Sequence, residues 1–183
     1  MSTVLVRPAV AQDMAAINSI YNHYVVNTHI TFDIVPWTNK KRLQWFTKFN
    51  GKRYQLWVAE IAGQVRAFAY TSQFRTKAAY ESSVEMTIYA HYQLQTKGIG
   101  KALYSKLLTN LADFEIHRLY AVIALPNEIS IGLHKKLGFE EVAILNEVGS
   151  KFGKKSVLPC LKNVSNLAYF YLSSDPLIYR SVE

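Results

Sequence analysis

One stretch constrains the fold more than any other: a strand pattern, a glycine-bearing turn and a helix pattern follow one another between residues 84 and 112. Apolar residues alternate through 84–90, as in a strand of a sheet. Apolar residues recur at helical spacing through 101–112, which predicts an amphipathic helix. The turn between them, Gln95-Thr-Lys-Gly-Ile-Gly100, leads into the N-terminus of that helix. Backbone N–H groups at a helix N-terminus bind anions, so this unit predicts a cradle for a pyrophosphate.

The two glycines of this turn suit an anion site. Gly98 and Gly100 have no Cβ, so a phosphate can approach the main chain closely and the turn can adopt a positive φ. Lys97 and Lys101 add positive charge to the same stretch. The six residues match neither the Gly-x-Gly-x-x-Gly of a Rossmann turn nor the Gly-Lys-Ser/Thr of a P-loop. On these residues alone, an ordinary strand-to-helix turn remains the alternative.

Length and composition favour one domain. A chain of 183 residues, half of them hydrophobic, can bury a substantial core, which we expect at about 3–173 within a single domain 1–183, with a peripheral tail at 175–183. No window approaches the ~18 uninterrupted apolar residues of a membrane span, and no basic-then-apolar leader opens the chain. We therefore interpret the chain as a cytoplasmic protein. Cys160 is the only cysteine, and the histidines show no metal-ligand spacing, so we predict neither an internal disulfide nor a metal.

The order of predicted elements is typical of an α/β chain whose mixed, twisted sheet has helices on both faces. Outside the stretch described above, the predicted strands are 3–7, 54–60, 64–74 and 118–125, and the predicted helices are about 11–26, 39–49 and 128–137. Asn127 and Gly138 are the candidate caps of the last helix. A final hairpin would use about 139–147 and 166–172.

The Gln-x-x-Gly-x-Gly turn between a strand and an amphipathic helix resembles the acetyl-CoA signature of the GNAT superfamily of N-acetyltransferases. Further matching motifs occur in that family's order: Thr31-Phe-Asp33, Phe74-Arg75, Val84-Glu85, Leu125-Pro-Asn127, Leu133-His-Lys-Lys-Leu-Gly-Phe139 and Glu147-Val-Gly-Ser-Lys-Phe-Gly153. They are similar to the phosphinothricin N-acetyltransferase branch, over roughly residues 3–153. After residue 153 the chain departs from that branch, which implies that 154–163 is an insertion of about ten residues before the last strand. A restructured last strand is the alternative. The resemblance implies a GNAT-type acyl-CoA N-acyltransferase fold and acetyl-CoA as the acetyl donor.

The resemblance also implies which residues contact acetyl-CoA. They lie on the signature strand, in the turn, at the start of the helix after it, and at the start of the 128–137 helix. The set is Ile88, Tyr89, Ala90, Gln95, Thr96, Lys97, Gly98, Ile99, Gly100, Lys101, Asn127 and Ser130.

Acetyl transfer to an amine requires a base, because the acceptor is an ammonium at neutral pH and cannot attack a thioester until it loses a proton. Glu85 occupies the position to which the resemblance assigns this base. Its apolar neighbours Val84 and Met86 would tend to raise the pKa of the carboxylate. A surface glutamate at an edge of the sheet is the alternative interpretation of the local sequence.

His134 lies seven residues after Asn127, close to two helical turns, so both can face the same side of the helix with Ser130 between them. The resemblance places His134 where the wider superfamily often has a tyrosine that protonates the departing thiolate. A histidine can donate or relay a proton near neutral pH. We take His134 as a residue that lines the site first and as a catalytic residue second. A histidine that merely packs beside leucines is the alternative.

For the acceptor, the resemblance implies six side chains, the last two contributed by the partner subunit of a homodimer: Phe32, Arg75, Lys77, Tyr80, Lys151 and Phe152. Arg75 can fork onto a carboxylate, which would select amino-acid-like acceptors. Lys77 stands where relatives often have a second arginine, and this replacement weakens bidentate recognition. Ordinary core packing is the alternative for Phe32 and Tyr80.

The net charge of +8 allows two explanations. Basic clusters at 40–42, 52–53 and 151–155 could bind nucleic acid. The first cluster lies on a predicted helix with apolar residues on its other face, so a solvated face is favoured, and the phosphates of coenzyme A account for part of the excess. We predict no nucleic-acid partner.

These observations predict an acetyl-CoA-dependent N-acetyltransferase. It would transfer acetyl to the α-amine of phosphinothricin, methionine sulfoximine or sulfone, or a similar small amino acid, by direct attack in a ternary complex. Three alternatives stay open: a non-catalytic acetyl-CoA-binding regulator, an acetyltransferase for a protein N-terminus or an aminoglycoside, and a basic nucleic-acid-binding module.

Overall fold

The computed structural model describes residues 3–163, which form seven strands, four α-helices and two short 3-10 turns. The strands are β1 Val4–Pro8, β2 Leu56–Ile61, β3 Gln64–Gln73, β4 Ser83–Ala90, β5 Arg118–Val122, β6 Phe139–Lys151 and β7 Lys154–Asn163. The α-helices are α1 Met14–Asn27, α2 Asn39–Phe46, α3 Ile99–Leu111 and α4 Glu128–Lys136. The 3-10 turns are Ala11–Asp13 and Ala78–Tyr80.

The strands form one mixed sheet in the order β1-β2-β3-β4-β5-β7-β6. Neighbours β4 and β5 are parallel, whereas the other neighbouring pairs in the described chain are antiparallel. A parallel connection needs a crossover, and α3 provides it. The predicted α/β architecture with a mixed sheet is confirmed.

Helices cover both faces of this sheet. Val58 of β2 packs in an apolar cluster with Ile17 of α1, whereas its neighbour Ala59 packs in a second cluster with Leu107 of α3. Successive strand residues point to opposite faces, so α1 and α3 lie on opposite sides of the sheet. Each fully buried leucine or isoleucine contributes about 2 kcal/mol to this packing.

One residue of the basic cluster 40–42 is buried, contrary to the expected solvated face. Arg42 of α2 is 1% exposed. Its guanidinium lies 4.5, 4.2 and 4.6 Å from the ring centroids of Tyr21, Trp37 and Trp45. Burial lowers the pKa of Arg42 to about 10, which still leaves it charged at neutral pH. Attraction between the cation and three ring faces stabilises a burial that apolar periodicity alone did not indicate.

The hairpin of β6 and β7 corrects a second prediction. β7 pairs with β6 on one side and with β5 on the other, so 154–163 is itself the strand that completes the hairpin rather than an insertion before it. The predicted partner strand 166–172 lies outside the described residues. Phe152 and Gly153 form the turn with φ of 51° and 71°, and two positive φ values are typical of the type I′ two-residue hairpin turn. Pro159, which has no N–H to donate, obscured this strand in the sequence.

Membrane-spanning helices and metal clusters are absent from the described part of the chain. No helix between residues 3 and 163 is long and apolar enough to cross a bilayer. The same residues contain no group of three or more His, Cys, Asp or Glu side chains arranged to hold a metal ion.

Candidate active site

A cleft opens in the middle of the sheet, where β4 and β5 separate. Their parallel pairing stops at Glu85 and Tyr120. On its other side β5 pairs with β7, and this pairing continues past the separation, since the N–H of Ile123 donates to the carbonyl of Pro159 at 3.2 Å. The residues that line the cleft are Ile30, Met86, Thr87, Ile88, Tyr89, Tyr104, Ala121, Val122, Ile123, Ala124, Asn127, Ser130 and His134. An extended ligand can therefore lie between the two strands, beside backbone N–H and C=O groups that the strands do not use to pair with each other.

The turn before α3 has the geometry of an anion site. Gly98 is the N-cap of α3, and its φ of +85° is a left-handed conformation that favours glycine. No atom lies within 4 Å of where its Cβ would be, so the space in front of this backbone is open. The first N–H groups of a helix have no partner within it. Gln95, Thr96, Lys97 and Lys101 surround them and are exposed. These residues fit a ligand that carries phosphate groups.

Glycine is needed at position 100 for a different reason from position 98. A Cβ on Gly100 would lie 2.9 Å from Leu133 Cδ2 of α4 and 3.6 Å from Ile88 Cδ1 of β4. The missing side chain therefore allows α3 to pack closely on α4 beside the cleft. Ile99 is 3% exposed, so its side chain belongs to the core and its main chain is the part that can contact a ligand.

The end of β4 contributes two of its three predicted acetyl-CoA contacts to the cleft. Ile88 and Tyr89 line it. The carbonyl of Ala90 instead accepts a hydrogen bond from the Tyr24 hydroxyl at 2.6 Å. That bond holds the end of β4 against α1.

The start of α4 brings three predicted residues to one side of the cleft. Asn127 caps the helix, because its side-chain oxygen accepts a hydrogen bond from the Ser130 N–H at 3.2 Å. Asn127, Ser130 and His134 all line the cleft, as their helical spacing indicated. Gly138 follows the last turn with a φ of 77°, which is the predicted C-terminal cap.

His134 is 2% exposed and hydrogen bonded through both ring nitrogens. Its Nδ1 lies 2.8 Å from the Ser130 carbonyl oxygen, which can only accept, so Nδ1 carries the proton. Its Nε2 then accepts from the Tyr104 hydroxyl at 3.2 Å. Burial lowers the pKa of His134 and raises the pKa of Tyr104 well above its usual value. At neutral pH the two side chains therefore form an uncharged hydrogen-bonded pair beside the cleft.

Glu85 lies on a central strand, since its neighbours in the sheet are Ser72 of β3 and Tyr120 of β5. This position excludes the alternative of a glutamate at the sheet edge. The side chain is half-buried, and burial raises the pKa of its carboxylate while the positive charge of Arg75 opposes part of that rise. A carboxylate with a raised pKa, located where β4 and β5 separate, is suited to accept a proton.

Aromatic side chains flank Arg75 near Glu85. The guanidinium of Arg75 lies 5.3 Å from the ring centroid of Phe74. Phe74 stacks on Tyr120 at 4.2 Å, and Tyr80 meets Phe74 edge-on at 6.1 Å. Because Tyr120 is the sheet neighbour of Glu85, these rings form an apolar wall beside the carboxylate. Arg75 and Tyr80 are exposed and can contact a ligand there.

The other predicted acceptor residues take different positions. Lys151 is 4% exposed, and its ammonium donates to the Thr31 carbonyl of the same chain at 2.8 Å. Phe152 is 62% exposed at the β6–β7 turn, and Lys77 is exposed just before the Ala78–Tyr80 turn. Phe32 packs against β6, as described below. The predicted acceptor set is therefore divided between the surroundings of Arg75 and the β6–β7 hairpin.

Sequence reasoning missed three side chains of this site. The sequence analysis did not single out Tyr104, although it lies one helical turn after Gly100 on α3. Thr87 lines the cleft beside Glu85, and Tyr120 lies across from Glu85 on β5. Alternation along β4 could have indicated Thr87, because Thr87 shares a face with Glu85. Tyr120 lies opposite Glu85 because β5 is the neighbour of β4 in the sheet, and the local sequence does not specify the order of the strands.

Comparison with known proteins agrees with this geometry. Residues 6–156 match the acetyltransferase (GNAT) domain family. The chain is 42% identical over 154 residues to a phosphinothricin N-acetyltransferase of Streptomyces coelicolor, covering 82% of this chain and 90% of the relative. It is 34% identical to an L-methionine sulfoximine/L-methionine sulfone acetyltransferase of Salmonella typhimurium, covering 81% and 87%. A phosphinothricin acetyltransferase of Sinorhizobium meliloti, solved in complex with acetyl-CoA, superposes with a TM-score of 0.82 at 34% identity, covering 87% of each chain.

The chain belongs to the GNAT family, in the branch that resembles phosphinothricin N-acetyltransferases, and it is an acetyl-CoA-dependent N-acetyltransferase. The open left-handed turn at Gly98, the helix N-terminus behind it and the cleft between β4 and β5 fit acetyl-CoA as the acetyl donor.

We predict that Gly98→Ala weakens acetyl-CoA binding and also costs about 1–2 kcal/mol of unfolding free energy, because alanine is strained at this positive φ. Isothermal titration with acetyl-CoA and urea unfolding measure the two effects. Gly63→Ala is the matched control, since Gly63 has a φ of +76° and equally open surroundings in the β2–β3 turn. The control should lose stability and keep its affinity. An unchanged acetyl-CoA affinity for Gly98→Ala would contradict a donor site at this turn.

Proposed function

We propose that this GNAT N-acetyltransferase acetylates the α-amine of a small amino-acid-like acceptor of the phosphinothricin or methionine sulfoximine and sulfone type. The observation that carries the proposal is the position of Glu85. Its carboxylate is half-buried where β4 and β5 separate, and the positive charge of Arg75 favours the ionised form. Relatives at 42% and 34% identity bear the names of enzymes for these acceptors. A base next to a carboxylate-binding cation is the arrangement that an α-amino acid requires.

Residues on both sides of the cleft would hold acetyl-CoA. We assign its diphosphate to the main chain and polar side chains of Gln95, Thr96, Lys97, Gly98, Ile99, Gly100 and Lys101. Its extended arm would lie along Ile88, Tyr89 and Ala90 on β4 and contact Asn127 and Ser130 at the start of α4. The cleft supports this assignment because β4 and α4 line its opposite walls.

Acetyl-CoA supplies the acetyl group as a thioester. In the proposed reaction Glu85 accepts a proton from the acceptor ammonium, directly or through one water, and the freed amine forms the new C–N bond as the C–S bond breaks. The nitrogen loses its second proton as the amide forms, and this proton replaces the one that the departing sulfur takes up. The departing sulfur needs a proton, and we assign its supply to the hydrogen-bonded pair of Tyr104 and His134. Tyr104 keeps its proton at neutral pH because burial raises its pKa, and His134 is neutral with Nε2 as the acceptor. No covalent acyl-enzyme is required.

The acceptor would lie on the Glu85 side of the sheet. Arg75 would bind its carboxylate, while Tyr80 and the Phe74–Tyr120 stack would contact its side chain. The nearby positive charge of Arg75 disfavours a polycationic acceptor such as an aminoglycoside. The predicted cytoplasmic location and the absence of a nucleic-acid partner stay predictions.

An acceptor screen tests the proposal directly. We expect free thiol release from acetyl-CoA with phosphinothricin, methionine sulfoximine or methionine sulfone, and at least about tenfold lower kcat/KM with the matching carboxamides, which lack the charge that Arg75 would bind. An aminoglycoside and a peptide N-terminus complete the panel. Equal rates with carboxamides or aminoglycosides would contradict the assigned acceptor class. Acetyl-CoA binding without thiol release in the presence of any acceptor would favour the alternative of a non-catalytic acetyl-CoA-binding regulator.

Glu85→Gln should lower turnover about a hundredfold while leaving acetyl-CoA affinity nearly unchanged. Because the folded-state pKa of Glu85 is raised and only the ionised form accepts a proton, wild-type kcat/KM should fall as the pH decreases through that raised pKa. The variant should lack this decrease. Glu140→Gln, an exposed glutamate on β6, is the control and should reproduce the wild-type pH profile. A Glu85→Gln variant with wild-type turnover at every pH would eliminate this residue as the base.

We also propose that the protein is a homodimer that pairs through β6. This strand is the outer strand of the described sheet, and its apolar side chains Val142, Ile144 and Val148 are 48%, 52% and 61% exposed. Exposed apolar strand edges are surfaces on which proteins associate. Phe152, 62% exposed at the end of the same hairpin, extends this surface.

Sedimentation measures the oligomeric state. We expect a species of twice 20.9 kDa for the wild type and a shift to the monomer for the double variant Ile144→Asp/Val148→Asp. The control Glu141→Asp, at an exposed polar position of β6, should remain dimeric. A wild-type protein that sediments as a monomer at micromolar concentration would contradict the proposed dimer.

A further inference from the structure

A loop of residues 28–33, here named the crossing loop, connects three parts of the molecule. At one end the ring Nε2 of His29 lies 3.2 Å from the carbonyl oxygen of Pro126, just before α4. Ile30 lines the cleft. The Tyr21 hydroxyl of α1 hydrogen bonds to Thr31 Oγ1 at 2.9 Å. The loop therefore passes from α1 over the cleft, and its remaining contacts decide how the far end is held.

The far end of the crossing loop rests on a glycine. A Cβ built on Gly149 of β6 would lie 2.6 Å from Cε1 of Phe32 and 3.0 Å from its Cδ1 and Cζ. Carbon atoms in contact are normally 3.5–4.0 Å apart. The Phe32 ring therefore occupies the space of the missing side chain, and no other residue type at position 149 is compatible with this position of the ring.

A buried lysine from the same hairpin holds the main chain of the loop. Lys151 donates to the carbonyl of Thr31 at 2.8 Å and lies 3.4 Å from the carbonyl of Tyr24 in the last turn of α1. Burial lowers the pKa of Lys151, and the nearby charge of Asp33 opposes this. A cation at a helix C-terminus is favourable. Gly149 and Lys151 thus fix the ring and the backbone of one loop from a single strand.

The crossing loop and Glu85 lie on the same side of the sheet. Glu85 and Tyr89 point to the same face of β4, because side chains alternate along a strand. The Tyr21 ring meets Tyr89 edge-on at 5.2 Å, and the Tyr21 hydroxyl hydrogen bonds to Thr31 and Asp33. Phe32 lies between these two residues, so the ring that rests on Gly149 lies on the face from which the acceptor would approach Glu85.

We infer that Gly149 is a positioning residue for acceptor selection: by leaving room for the Phe32 ring, it sets the width of the acceptor side of the cleft. The inference rests on the proposed function for its catalytic consequence. The hairpin acts here within its own chain, so the selection does not require a residue of a second subunit. Lys151 holds the loop by its main chain and is a second positioning residue.

Gly149→Ala tests this role. The added methyl group would displace the Phe32 ring, so we expect acceptor KM to rise at least about fivefold, kcat to change less, and the preference between methionine sulfone and the bulkier ethionine sulfone to shift. Acetyl-CoA affinity should stay at the wild-type value. Gly132→Ala is the matched control, because a Cβ on Gly132 of α4 meets no atom within 4 Å, and its acceptor KM should be unchanged.

The double variant Phe32→Ala/Gly149→Ala separates a positioning role from general damage to β6. If Gly149 acts through Phe32, the alanine at 149 should add nothing once the ring is removed, so the double variant should match Phe32→Ala in KM and acceptor preference. An equal effect of Gly149→Ala with and without the ring, or an unchanged KM in the single variant, would overturn the inference.

Hydrogen exchange separates this inference from the proposed function, because it needs no acceptor. Amides of residues 29–33 should exchange faster in Gly149→Ala than in the wild type, and in Gly132→Ala they should not. Unchanged exchange would overturn the contact between hairpin and loop. A wild type inactive on every amino-acid acceptor, combined with the expected exchange, would reject the proposed acceptor class and leave the loop contact intact.

Discussion

The loss of main-chain pairing between β4 and β5 beyond Glu85 and Tyr120 creates strand edges inside the protein. Buried N–H and C=O groups without partners cost free energy, so such an edge persists only where another group can bond to it. β3 pairs with the other side of β4 and β7 with the other side of β5, so neither bonds to the two edges that face each other. What remains is a slot between two strands of the same sheet, and the rest of the site is arranged around that slot.

The acid–base groups reach the slot from opposite faces. Glu85 projects on the side of α1 and Tyr70, whereas Tyr104 and His134 come from α3 and α4 on the other side. Burial is the main reason that the pKa of Tyr104 is raised, and the charge of Glu85 adds to it. A proton can thus leave the acceptor on one face while another is supplied on the opposite face, through a gap that only the separated strands provide.

The alternating and helical periodicities sufficed to predict the mixed sheet, α3, α4 and the Gly98 turn, because each depends on local backbone preferences. They failed where long-range contacts decide. Arg42 is buried against the Tyr21 ring of α1 as well as the nearby rings of Trp37 and Trp45, and the strand 154–163 is specified by its turn and by pairing with β5 and β6. The family resemblance identified Glu85 and His134 as candidates, yet the Tyr104 hydroxyl that donates to Nε2 of His134 comes from 30 residues away in sequence and could not be read from either segment.

One rigid element spans the distance between the two ends of the donor site. Gly98 caps the start of α3 and Tyr104 lies six residues further along the same helix, an axial separation of about 9 Å at the usual helical rise. Helices resist compression, and the bare backbone at Gly100 seats this one directly on Leu133, next to His134. The position of the bound phosphates therefore fixes how far an acyl carrier reaches into the cleft. A carrier with a shorter or longer arm would place its carbonyl at the wrong distance from Glu85, Tyr104 and His134.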